Sequence, residues 1–326
     1  MVLWVLLTLS LIVWGLSRRS SLEVSLSETY RGKLRSYAAA RAGVSKLLDL
    51  MQRSPSAKDT LYSSGIAFDQ SKGPVDLLSR IETGQNAYAS VQWLARDFST
   101  PESKPCLEYG LTDEGGRINI NAITAANSSI LSALLQVHGL SQSDADKLAM
   151  NIAAYAGTGG LTGNSNSFMS LNNAVLKPKN KPYENILELL EVDGMTRDIF
   201  DKIKGEVTVY GDFQNGLRIN VDTAGNHVLQ AVANAQARLN PSASAAEILR
   251  QAYAARDGQD GVSFTSDDGA GASVMTNAPV LQEGTFNYYR ARVVGVDKDS
   301  GARSVLEAVI HQLPGSPGEI VSWQRD

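Results

Sequence analysis

The side chains with the widest chemical repertoire are few and scattered: His138, His227, His311 and the single cysteine, Cys106. One histidine falls in a turn, one in a helix pattern and one in a late strand pattern, and with Cys106 they form no metal-ligand spacing. Each reads as a surface or packed histidine, and no metal site is expected. The adjacent carboxylates Asp113 and Glu114 could do acid–base work only in a cleft that supplies partners. No Gly-x-x-x-x-Gly-Lys-Ser/Thr phosphate loop, no His-Glu-x-x-His helix and no Gly-x-Ser-x-Gly elbow occurs in the sequence. An anchored hydrolase would need such a constellation, so neither a catalytic residue nor a cofactor is expected.

Two glycine turns could instead meet a phosphate backbone through their amides. Val137-His138-Gly139-Leu140-Ser141 is echoed by Val192-Asp193-Gly194-Met195-Thr196, and the following helices carry Asp146-Lys147-Leu148 and Asp201-Lys202-Ile203. Gly139 and Gly194 can take the left-handed conformation that closes a helix, and Ser141 and Thr196 can cap the next. Each turn has one glycine, Asp193 sits in the second, and no cluster of Lys or Arg flanks either. With a net charge of −4 and pI near 5.5, the main energy term for nucleic acid is missing. The turns read as packing hairpins, and no nucleic-acid partner is expected. The alternative, a membrane-anchored helix-hairpin protein of DNA uptake, would require a basic face around the two glycines.

These turns lie in a predominantly helical middle, Gly110 to about Ala255, which holds a second echo. Gly116-Arg117-Ile118-Asn119-Ile120-Asn121-Ala122 parallels Leu217-Arg218-Ile219-Asn220-Val221-Asp222-Thr223-Ala224. Each reads as a short strand feeding an amphipathic helix, carrying Ile130, Leu131, Leu134 and Leu135 in one case and Val228, Leu229 and Val232 in the other. Strands bracket this middle. Ala89, Val91, Trp93 and Ala95 alternate with polar neighbours. Phe286 to Val296 and Ser304 to Leu313 form a hairpin across a five-residue loop, with Ile320 to Trp323 as a further edge strand. Residues 53–86 read mostly as loop.

At the front, Met1 to Leu16 carry no charge, and the first acid is Glu23. Leu3, Trp4, Val5, Leu6, Leu7, Leu9, Leu11, Ile12, Val13 and Trp14 make this a membrane helix. Sixteen helical residues cover ~24 Å of a ~30 Å hydrocarbon core. Arg18 and Arg19 stand where a cleavage site would fall, so the helix reads as an uncleaved anchor. Their side of the helix conflicts with the positive-inside rule, which a basic leader preceding Met1 would explain. The helical pattern runs on without proline: Leu34, Tyr37, Val44, Leu47, Leu48 and Met51 recur at three- and four-residue steps, and Pro55 ends it. These six are expected to form a packing face for partner helices, on a continuous helix of ~75 Å.

With 326 residues, 43% apolar and 20% charged, the chain can bury two ordinary cores after the anchor. One cysteine excludes an internal disulfide.

Several pieces in order carry a family resemblance: Val2-Leu3-Trp4-Val5-Leu6-Leu7; Tyr37-Ala38-Ala39-Ala40-Arg41-Ala42-Gly43-Val44; Leu111-Thr112-Asp113-Glu114-Gly115-Gly116-Arg117; Ile186 to Met195; Thr208-Val209-Tyr210-Gly211; Ile219 to Ala224; and Ser322-Trp323-Gln324-Arg325. In this order and spacing the chain resembles the type II secretion minor pseudopilin K family. The resemblance implies an α+β fold in which a long N-terminal membrane and filament helix packs on a pilin-like antiparallel sheet. It also implies a large inserted all-helical domain of SAM-like, helix-hairpin type. The domains would be 1–51 for the helix, with 1–16 in the membrane, 52–110 and 256–326 for the body, and 111–255 for the insertion. It further implies a non-enzymatic subunit of the bacterial inner membrane with its bulk in the periplasm. Its partners would be the minor pseudopilins I and J, the major pseudopilin, the inner-membrane secretion platform and membrane lipid.

Pilin-like subunits use a glutamate inside the apolar helix to offset a neighbour's amino group, and its absence before Glu23 suits a place at the filament tip. The resemblance also makes Asp113 and Glu114 turn residues before a strand. The family's acidic calcium loop falls near residues 156–167, which here offer only amides, hydroxyls and backbone, so calcium is not carried over. The acidic stretch from Asp257 to Gly269 departs from the twelve-residue calcium spacing and reads as a solvated loop.

Overall fold

The computed structural model describes residues 2–53, 66–69, 73–76, 78, 80–95, 106–157, 179–240, 243–258, 277–282, 287–313 and 316–325. In chain order these form helix α1 (Val2–Arg53), then strands β1 (Ile66–Asp69), β2 (Gly73–Asp76), β3 (Ile81–Gly84), β4 (Ala87–Ala95), β5 (Cys106–Tyr109), β6 (Thr112–Asp113) and β7 (Ile118–Asn119). Helices α2 (Ser128–Val137), α3 (Gln142–Tyr155) and α4 (Arg197–Ile203) follow, then β8 (Val207–Thr208), β9 (Ile219–Asn220), α5 (Asn226–Leu239) and α6 (Ala245–Asp257). The last strands are β10 (Leu281–Gln282), β11 (Tyr288–Asp297), β12 (Arg303–His311) and β13 (Glu319–Arg325). The chain divides into two compact units, one of Met1–Leu94, Leu107–Thr112 and Arg290–Asp326, the other of Ala95–Cys106 and Asp113–Tyr289.

In the first unit an antiparallel sheet runs β13-β12-β11-β4-β3, with Val293 opposite Val91 and Ala308 opposite Trp323. Its inner face is built from alternate residues such as Ala89 and Val91, Ala291 and Val293, and Leu306, Ala308 and Ile310, all buried. The second half of α1 covers it with Ala39, Ala40, Val44, Leu47 and Met51. The approach is close: a side chain on Gly295 would strike the α1 backbone at Ser36 and Ala40, and one on Gly43 would strike Ala89 and Val293. Ser36 Oγ lies 2.7 Å from Ser304 Oγ, and Gln312 Nε2 donates to the Met51 carbonyl at 3.2 Å. Edge strand β13 keeps Ile320 and Val321 exposed.

The loop reading of 53–86 is corrected where the structure describes it, because β1, β2 and β3 lie there; residues 54–65 fall outside the described residues. Ile81-Glu82-Thr83-Gly84 buries only Ile81, so its strand character comes from pairing with β4 rather than from its own alternation.

In the second unit each sequence echo becomes a two-residue strand, a single 3-10 turn and a helix: β7, Ile120–Ala122 and α2 in one, β9, Val221–Thr223 and α5 in the other. Asn119 and Asn220 occupy equivalent places, accepting from the backbone N–H groups of Asn121 at 3.0 Å and Asp222 at 3.2 Å. Strand β7 pairs in parallel with β8, and β9 with β10. The all-helical description therefore needs amending, since these short parallel ladders start both echoes. The pairing of β9 with β10 also draws the unit past Ala255, to Tyr289. Ile130, Leu131, Leu134 and Leu135 of α2 and Val228, Leu229 and Val232 of α5 lie in one apolar core with Leu148, Ile152, Phe200 and Ile248.

Candidate functional site

Helix α1 is 52 residues long, ~78 Å at 1.5 Å per residue. It is long and apolar enough to cross a membrane. Leu3, Trp4, Val5, Leu6, Leu7, Leu9, Leu11, Ile12, Val13 and Trp14 are all exposed on a stretch without charge to Leu16; beyond it Leu22, Val24, Leu26, Tyr30 and Leu34 are exposed among Arg18, Arg19, Glu23, Glu28, Arg31 and Lys33. An apolar strip of that length must be covered by lipid or by other chains.

The expected partner face divides differently. Leu34 is 68% exposed, Tyr37 and Leu48 are half-buried, and Val44, Leu47 and Met51 are buried in the chain's own core. Those three are corrected from partner-packing to core residues, because the periodicity marks a buried face without saying what buries it. Tyr37 lies under the Arg325 guanidinium, 5.0 Å from its ring centre.

Both hairpin glycines take positive φ, +94° at Gly139 and +88° at Gly194. Ser141 accepts from the Asp144 N–H at 3.2 Å and Thr196 from the Ile199 N–H at 3.3 Å. A 3-10 helix, Ile186–Glu191, precedes the second turn. The turn glycines are exposed, while Leu140 and Met195 after them pack against the core; Asn151 donates to the Asp193 carbonyl at 3.0 Å, and Leu148 lies beside Gly194. Nearby cations are engaged, Arg197 with Asp201 at 3.2 Å and Lys202 with the His138 carbonyl at 3.2 Å.

Asp113 and Glu114 are interior struts. Asp113 accepts from the Gly115 N–H at 2.9 Å and from Asn220 Nδ2 and Thr223 Oγ1 at 2.8 Å each, joining the start of one echo to the other. Burial pushes its carboxyl above the usual range, against those hydrogen bonds. Glu114 accepts from Thr208 Oγ1 at 2.5 Å and pairs with Arg117 at 3.1 Å. It lines a crevice with Tyr210 and Arg218, but both its oxygens are committed, as a structural carboxylate's would be.

Two of the histidines, far apart in sequence, meet in space. His138 caps the C-terminal end of α2, His227 lies in the first turn of α5, and Glu206 precedes β8. His138 Nε2 is 2.6 Å from Glu206 Oε2 and His227 Nδ1 is 2.7 Å from Glu206 Oε1, with the two rings edge-to-face at 5.0 Å. Burial raises the Glu206 carboxyl, but its hydrogen bonds to His138 and then His227 outweigh burial and hold it below the ordinary range. Folding brings together residues 68 and 21 positions apart, which no local spacing could announce. His311 is apart, on β12. Of the acidic stretch, Asp257 pairs with buried Arg256 at 2.6 Å, and residues 259–269 lie outside the described residues, as do 158–167 of the family's calcium loop and Phe286.

A long helix, apolar enough at its start to cross a membrane and seated further on against an antiparallel sheet, together with a helical unit drawn from the middle of the chain, makes an α+β fold. Residues 116–212, under a third of the chain, match the family model for type II secretion system (T2SS) protein K. No curated protein matches the chain in sequence. In fold it is similar to a chain of the GspK-GspI-GspJ complex from the enterotoxigenic Escherichia coli type 2 secretion system, with a TM-score of 0.56 at 15% identity over 93% of this chain and 99% of that one. That likeness carries the fold, and the matched segment is similar to the first domain of that protein family. Together they support the resemblance read from the sequence, to the type II secretion minor pseudopilin K family.

Proposed function

We propose that this chain is the pseudopilin at the tip of the type II secretion pseudopilus, which initiates and caps the filament and so aids export of folded proteins across the outer membrane. The observation that supports this most is α1: uncharged and apolar through Leu16, exposed through Leu34, then bound to its own sheet. Such a helix can leave the membrane and pack lengthwise against like helices while its body stays folded. Residues 2–22 hold no carboxylate, so this helix has nothing to neutralise a neighbour's amino group beyond it, which suits the first position. The partners are the minor pseudopilins I and J, met along residues 2–34, then the major pseudopilin and the inner-membrane platform. The second unit is the inserted helix-hairpin domain, the bulk of the chain is periplasmic, and no cofactor takes part in filament assembly.

The test is co-expression of the full chain with pseudopilins I and J and extraction in mild detergent. A complex of all three that forms with the natural helix and is lost when Leu22, Leu26 and Tyr30 are changed to Asp supports the reading. A chain that stays monomeric with both partners overturns it. Retention of duplex DNA at low salt, fading as salt rises, would favour DNA uptake instead.

A further inference from the structure

We propose that His138, Glu206 and His227 form a binding site for one divalent transition-metal ion of the zinc class, which ties α2, α5 and the segment before β8 together. This goes beyond the secretion reading and does not depend on it.

The donor set is two imidazole nitrogens and one carboxylate, the combination that holds zinc in open three-ligand sites. Their ligand atoms lie within 4.8 Å of one another. Zinc bonds of ~2.0–2.1 Å in tetrahedral array place ligand atoms about 3.3 Å apart. The nitrogen-to-carboxylate distances are 2.6 and 2.7 Å, so each pair must part by about 0.7 Å to admit the ion.

The means to part are present. Glu206 is held by its backbone, donating to the Ile203 carbonyl at 2.8 Å and accepting from the Ile118 N–H at 2.9 Å. His138 is held at the end of α2 with its side chain 13% exposed. His227, with its side chain 44% exposed, is the ligand able to swing outward, and the same exposure lets water take the fourth position. The buried Glu206 carboxylate, 2.6 and 2.7 Å from the two imidazoles, supplies the negative charge that a dication needs in a protein interior. On binding, each ring nitrogen gives up its N–H···O hydrogen bond to the carboxylate, and its proton moves to the other ring nitrogen or to water. Calcium does not fit, because it seeks six to eight oxygens, whereas imidazole favours zinc, copper and nickel.

The experiment uses the full chain in detergent, without a histidine tag and stripped of metal. Zinc is titrated against a chromophoric chelator, and cobalt(II) serves as a spectroscopic stand-in. One equivalent of zinc should bind at micromolar concentration or tighter, raise the thermal unfolding midpoint and resist excess calcium. Bound cobalt should show visible bands of four- or five-coordinate geometry. H227Q should weaken binding by about a hundredfold or more, given that even an outer partner of a metal ligand contributes 10–100-fold. H311N, on the other unit, should change nothing. If H138Q or E206Q fails to fold, H227Q decides, because its side chain is the most exposed of the three. No binding at 100-fold excess zinc, equal binding by H227Q, or displacement by calcium would each overturn the proposal.

Discussion

In the unit that carries α1, helix meets sheet through residues with little or no side chain, Gly43, Ala39 and Ala40 on the helix and Gly295 and Ala89 on the strands. In the second unit the elements share an apolar core and are joined also by buried polar side chains. Asp113 binds Asn220 and Thr223, Asn121 donates to the carbonyls of Tyr183 and Val209 at 3.0 and 3.1 Å, and Arg256 donates to the Ala224 carbonyl at 3.1 Å. The helix–sheet contact is most sensitive to added volume, and the polar joints of the second unit to lost hydrogen bonds. A helix that must stay straight and rigid along its sheet gains from close backbone contact, whereas short irregular elements need side chains to satisfy the backbone groups that regular structure would otherwise pair.

The contrast can be broken by substitution in the full chain, with thermal or denaturant unfolding as the readout. The largest effect is expected from Gly295→Val, whose side chain would collide with the α1 backbone; a loss of about 3 kcal/mol or more follows from overpacking. A loss under 1 kcal/mol would show that helix and sheet can separate cheaply. Next comes Asp113→Ala, which strands the Asn220 amide and the Thr223 hydroxyl and should cost about 2–3 kcal/mol. Gly139→Val should cost roughly 1–2 kcal/mol, since positive φ disfavours a β-branched side chain; unchanged stability would mean that the turn relaxes to negative φ. Leu7→Arg should leave unfolding of the body within about 0.5 kcal/mol, as expected at an exposed site, while weakening retention in the membrane fraction.

The smallest effect is a titration in the second unit. The hydrogen bond from Tyr155 to Glu191 raises the Tyr155 phenol from 10.0 to about 12. Between those values the folded chain holds a proton that the unfolded chain has lost. The contribution is therefore full below pH 10 and is lost as pH rises towards about 12. Near-ultraviolet phenolate absorbance should show a late-titrating tyrosine that is absent in Tyr155→Phe, and a normal titration in the natural chain would remove the Glu191 bond.

Much of this architecture was legible beforehand because it rests on short-range rules. Strand alternation located β4, β11 and β12, and the absence of proline up to Pro55 carried α1 to Arg53. Ser141 and Thr196 could be read as caps because a cap bonds a backbone group three residues away. Strand β3 was missed, since its partner strand and not its own pattern makes it one. Val44, Leu47 and Met51 were correctly expected to be buried, yet their own sheet buries them.

Spacing along a few residues of backbone is enough to specify the long helix, the bracketing strands, the paired echoes and the capped turns. Long-range packing sets which surface covers the second half of α1, joins the two echoes through Asp113, and closes His138 and His227 on Glu206. Those outcomes depend on which elements become neighbours in space, a property of the packed core that no single stretch of chain contains.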